Sequence, residues 1–144
     1  MAIGFQVTFD CSDPNKLAHF WANALHYKIP NPPSGFNTWH EFLKARNIPE
    51  SEWDSKSAIE DPEGKGSRIF FQKVPEPKIV KNRVHLDLNV SGGFSSPLQD
   101  RIDRVKAETA RLITHGATLQ REIQTQDEYW IVLADPEGNE FCVH

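Results

Sequence analysis

At 144 residues the chain has the length of one domain, enough to bury roughly two-thirds of its unfolded surface in a single core. Its ordinary apolar and charged fractions argue against disorder, and a formal charge of −4 with no Lys/Arg run gives no field for a phosphate backbone, which excludes nucleic acid as the expected partner. No segment approaches the ~20 consecutive apolar residues of a membrane span, and the N-terminus shows no basic region followed by a long apolar stretch, so a cytoplasmic protein is expected.

Residues 4–10, GFQVTFD, alternate Phe5, Val7 and Phe9 with Gln6, Thr8 and Asp10, the period of a half-buried strand. A helix follows: Ser12 or Asp13 caps it, Pro14 suits its first turn, and Leu17, Phe20, Trp21 and Leu25 recur at helical spacing. Trp21 is assigned to the core. The stretch from Phe36 to Ser57 is an insertion in which Trp39–Arg46 forms a short helix. It is open between a lid, a dimer contact and a packed connection.

Strands then bracket the turn Asp61-Pro62-Glu63-Gly64 in SAIEDPEGKGSRIFFQKV. Proline fixes φ at the second turn position, aspartate accepts local backbone hydrogen bonds, and glycine permits positive φ. RVHLDLN (83–89) repeats the first strand's alternation, with His85, Asp87 and Asn89 on the polar face, so that His85 and Gln6 occupy equivalent places. A second helix opens at Ser96-Pro97, carries Leu98, Ile102, Val105 and Leu112 as its stripe, and stops at Gly116. Asp-Pro-Glu-Gly then returns at 135–138, again between strands, in YWIVLADPEGNEFCV. One such turn marks a hairpin. Two, each preceded by the same strand and helix, mark a duplicated unit, with module one over about 1–77 and module two over about 82–144 of a single domain. Cys11 and Cys142 lack Cys-x-x-Cys spacing and are expected to be buried thiols outside any disulfide.

With RIFFQKVPEPKIVKNRVHLDL joining the halves and DPEGNEFCVH at the end, the chain resembles the vicinal oxygen chelate superfamily of glyoxalase I, extradiol dioxygenases and bleomycin-resistance proteins, in its glyoxalase-like branch. The resemblance implies an α+β fold of two βαβββ modules whose curled mixed sheets enclose a shared concave pocket. It implies a small-molecule ligand or substrate, and a homodimer.

The resemblance also places metal ligands on the first and last strands of each module. Carried over by position, these are Gln6, His85 and Glu140, able to hold Zn²⁺, Ni²⁺ or Mn²⁺ weakly. The fourth place falls on Phe70, or one pleat along on Gln72, and neither is a carboxylate. With one histidine at a matching strand position, the two-His, one-carboxylate arrangement of Fe(II) dioxygenases is disfavoured. Glu140 is the candidate general acid or base, with an inward carboxylate satisfied by neighbours as the other reading. His85 is open between a ligand and a hydrogen-bonded residue held by Asp87 or a carbonyl. Trp39, Phe70, Gln72, Asp87 and Trp130 are candidate ligand-lining residues. Two functions stay open: a metal-dependent lyase or isomerase of glyoxalase type, and a metal-free protein that sequesters a small molecule.

Overall fold

The computed structural model describes residues 2–144, which divide into two compact units, one ending at Pro77 and one spanning Lys78–His144.

The first unit opens with strand β1 (Val7–Cys11) and helix α1 (Pro14–Leu25). Asp13 is the cap: its Oδ1 accepts from the Lys16 N–H at 3.0 Å, meeting one of the donors a helix start leaves unpaired. The helix ends at His26, whose φ of 57° places it in the left-handed region. A short helix α2 (Trp39–Ala45) follows, closed by a reciprocal Thr38–Glu41 capping box. A 3-10 turn over Glu50–Glu52 then leads into β2 (Lys56–Ile59) and β3 (Ile69–Lys73).

The three strands are ordered β1-β3-β2, with β1 parallel and β2 antiparallel to β3. α1 packs on β2 and β3 through Leu17, Phe20 and Trp21, the last only 1% exposed. Phe9 lies between Trp21 and Phe71, with ring centroids at 5.5 and 5.6 Å. Burying the Phe20, Trp21 and Phe71 side chains contributes about 1.5–3 kcal/mol each, and the half-buried Phe9 less.

The second unit is β4 (Asp87–Leu88), α3 (Leu98–Thr114), β5 (Thr118–Gln124), β6 (Tyr129–Ala134) and β7 (Glu140–Val143), with sheet order β4-β7-β6-β5. β4 runs parallel to β7, and the other pairs are antiparallel. α3 buries Ile102, Val105 and Leu112 against β6 and β7, whose Leu133, Phe141 and Val143 are wholly enclosed. Gly116 follows the helix at φ 111°, a conformation that favours glycine.

The α+β class and the repeated module are therefore present, with one difference between the halves. The second unit is a full β-α-β-β-β, whereas the second strand of the first is reduced to a single bridge, Lys28 to Glu60. Pro30, Pro32 and Pro33 follow that bridge and cannot donate to a ladder. With the bridge counted, both sheets run first, last, third, second strand.

Two strands are shorter than their alternation suggests. Phe5 is 73% exposed because the ladder begins only where the Val7 N–H reaches the Arg68 carbonyl. Val84 is 77% exposed because the Leu86 carbonyl is the first of its strand to meet β7, at the Cys142 N–H. Cys11 is buried as expected and Cys142 only half-buried; neither forms a disulfide. No helix among the described residues is long and apolar enough to cross a membrane.

The repeated turns close alike. In each, the glycine N–H donates to the aspartate carbonyl at 2.9 Å, with Gly64 at φ 69° and Gly138 at φ 84°. Asp61 Oδ1 accepts from the Glu63 N–H and its Oδ2 from those of Lys65 and Gly66. Asp135 accepts from the Glu137 and Asn139 N–H groups and from the Asn139 amide. The half-buried Asp61 carboxyl is held below the usual range, chiefly by the Glu63 and then the Gly66 N–H.

Candidate functional site

The pleat of β7 sorts its residues onto two faces. Phe141 and Val143 turn toward α3 and are buried, so Glu140 and Cys142 project from the opposite face. The ladder continues beyond the strand through the His144 N–H, which donates to the Leu88 carbonyl at 3.0 Å, and His144 joins the same face. Asp87 stands across the parallel pair from Cys142, and Val132 across the antiparallel pair, which brings Trp130 to that face of β6. A cleft of about 530 Å³ lies here, lined among others by His85, Asp87, Trp130, Cys142, His144 and Arg101.

At its polar centre, His85 Nε2 is 3.2 Å from Asp87 Oδ1, and His144 Nε2 is 3.9 Å from Asp87 Oδ2. The pKa of the Cys142 thiol is pushed up by burial first, then by the charge of the Asp87 carboxylate paired with it across the ladder. One donor atom each from His85, Asp87 and Cys142 fall within 4.8 Å of one another. A tetrahedral zinc with bonds of about 2.0–2.3 Å sets its donors about 3.3–3.8 Å apart, so this trio can hold a divalent ion once its widest separation closes by about 1 Å.

Glu140 has a different partner. Its carboxylate pairs with the Lys81 ammonium, and its backbone N–H donates to Asn82 Oδ1 at 3.1 Å. The Lys81 hydrogen bond holds its carboxyl below the usual range, burial opposes this, and the charges of Lys81, Lys78 and Arg121 add to the lowering.

The remaining candidates belong to the first unit. Gln6 Oε1 accepts from the Arg68 guanidinium at 2.8 Å, and the same guanidinium lies 5.4 Å over the Phe70 ring. An amide oxygen already facing a fixed positive charge is a poor cation ligand. Gln72 donates to Asp10 Oδ1 at 2.7 Å across β1 and β3. The Trp39 indole donates to the Pro30 carbonyl and meets Phe42 edge-on, in a cluster completed by Phe36.

Of the sequence candidates, His85, Asp87 and Trp130 thus meet at one cleft, and Glu140 stands one pleat from Cys142. Cys142 and His144 are additions. The signal for them was the strand period: once Glu140 is assigned to a face, positions 142 and 144 share it.

A family model described as a glyoxalase-like domain matches residues 6–144. No curated protein sequence matches the chain. Among solved structures, the fold is similar to a glyoxalase/bleomycin resistance protein/dioxygenase family enzyme from Burkholderia phytofirmans, at 17% identity and a TM-score of 0.60, over 96% of this chain and 94% of that one. It is similar to a mutant of the fosfomycin resistance protein FosX from Listeria monocytogenes, complexed with Mn(II) and 1S,2S-dihydroxypropylphosphonic acid, at 16% identity and a TM-score of 0.62, over 100% and 90% of the two chains. A possible glyoxalase from Bacillus cereus matches at 12% identity and 0.58, over 99% and 98%.

Proposed function

The chain belongs to the glyoxalase-like domain family, and from that premise we propose that it is a metal-assisted enzyme of glyoxalase type, a lyase or isomerase, acting on a small molecule in the cleft of the second unit. The observation that carries this reading is the convergence of His85, Asp87 and Cys142 donor atoms within 4.8 Å at the wall of that cleft. The structurally similar FosX, complexed with Mn(II) and a dihydroxypropylphosphonic acid, supports a divalent cation and a small-molecule ligand on this fold.

A cation held at His85 would polarise a substrate oxygen. The chain's own groups supply the rest. Trp130 gives an aromatic wall, and Arg101 brings a guanidinium charge to the cleft lining. Glu140, one pleat from Cys142 and paired with Lys81, is the further carboxylate on this face and the candidate general acid or base.

The second reading, metal-free sequestration, is favoured by the Lys81–Glu140 pair, which occupies that carboxylate without any metal. Metal analysis of protein purified without chelator or added metal separates the two. The enzyme reading expects about one divalent ion per chain, lost in His85→Ala. Protein free of metal, with a melting temperature unmoved by Zn²⁺, Ni²⁺ or Mn²⁺, would overturn it.

A further inference from the structure

We propose that the cation site is a zinc–thiolate centre formed by His85 Nε2, the Asp87 carboxylate and Cys142 Sγ, with one coordination position left open toward the cleft. This rests on the metal-assisted reading and changes its donor set, since Cys142 and Asp87 enter and Gln6 and Glu140 do not.

Three observations support the assignment. The His85 Nε2 to Asp87 Oδ1 separation is 3.2 Å, close to the edge of about 3.3 Å expected between nitrogen and oxygen donors of a tetrahedral zinc. The backbone places the third donor: Asp87 and Cys142 are paired in the β4–β7 ladder, and Cys142 N–H is bonded to the Leu86 carbonyl, so the two side chains start from adjacent points on the sheet. Glu140 and Gln6, by contrast, already face the positive charges of Lys81 and Arg68.

Three protein donors are the number found in catalytic zinc sites, and four the number in closed structural ones. His85 and Asp87 side chains keep 47% and 51% of their exposure, which leaves a water or substrate oxygen access to the ion. A thiolate also selects the softer metal, so zinc is favoured over Mn²⁺. On binding, the Cys142 S–H bond is replaced by a Zn–S bond and one proton leaves to solvent.

The test is Co²⁺ titration of the full-length protein under anaerobic conditions, followed by absorption spectroscopy and by competition with Zn²⁺. The expected result is about one Co²⁺ per chain with a near-ultraviolet thiolate-to-cobalt charge-transfer band. Cys142→Ser should abolish the band, while Cys11→Ser and Glu140→Gln retain it. His85→Ala should weaken binding by more than about tenfold, a loss that partners one shell further out already produce. A second measurement needs no substitution: saturating Zn²⁺ should slow alkylation of Cys142, read by peptide mass spectrometry. One bound ion without the charge-transfer band, lost in Glu140→Gln, would overturn this donor set and leave the metal-assisted reading standing. No binding at all would overturn both.

Discussion

Asp87 and Cys142 face each other across the parallel β4–β7 ladder, and the carboxylate there is approached by two imidazoles, His85 at 3.2 Å and His144 at 3.9 Å. A single acidic side chain thus organises a nitrogen, oxygen and sulfur donor set on the face of the sheet that α3 leaves open. Removing its charge affects every partner, which makes it the most informative position in the cleft. Asp87→Asn is expected to cut divalent-metal affinity by at least about tenfold. The change in melting temperature without metal should be small, since the residue is half exposed. Titration of wild type and variant with Zn²⁺ by calorimetry checks both.

Lys81 controls Glu140. Since the ion pair holds the Glu140 carboxyl low, Lys81→Met should raise its pKa toward the ordinary carboxylate value. In the variant, ionised Glu140 is therefore lost at a higher pH on acidification than in wild type. Carboxyl carbon NMR across an acid titration reads this directly, and an unchanged midpoint would refute the pairing.

The two Asp-Pro-Glu-Gly turns share a sequence and differ in burial, so the same substitution should have unequal cost. Asp135 is 3% exposed and receives the Glu137 and Asn139 N–H groups and the Asn139 amide. Asp135→Ala leaves these buried donors unpaired, at a cost of about 2–4 kcal/mol. Asp61 is only half-buried, and water can replace much of the carboxylate in Asp61→Ala. The smaller loss has a pH signature: because its folded pKa is depressed, the contribution of Asp61 is present above its unfolded pKa and lost as pH falls through the folded value. Urea melts of both variants at neutral and acid pH should show a large, persistent loss for Asp135→Ala and a small one that fades in acid for Asp61→Ala.

Phe141 is wholly enclosed between its sheet and α3. Phe141→Ala should destabilise the protein by about 3–5 kcal/mol through lost burial and the cavity left behind. Thermal or urea denaturation measures it, and a loss under about 1 kcal/mol would contradict the packing described.

Much of this was legible in the residues. Period-two runs at 5–9 and 84–88 marked the opening strands, Asp13-Pro14 the start of α1, and the paired turns the duplication. The reduced second strand of the first unit was signalled by three closely spaced prolines whose effect depends on which ladder they interrupt. The cleft was half legible. Asp87 followed from alternation and Trp130 only from its aromatic character, but the approach of Lys81 to Glu140 and of Arg68 to Gln6 joins residues about sixty positions apart, which local pattern cannot register. Cys142 resembled a core thiol because its neighbours Phe141 and Val143 are core, and only the pleat turns it outward.

The most direct test of the account is a crystal of the protein soaked in zinc chloride, with anomalous difference maps recorded on either side of the zinc absorption edge. The account predicts one strong peak in the second unit, bonded to His85 Nε2, Asp87 and Cys142 Sγ. A peak held elsewhere with His85 unbound, or no peak in the cleft, would contradict it.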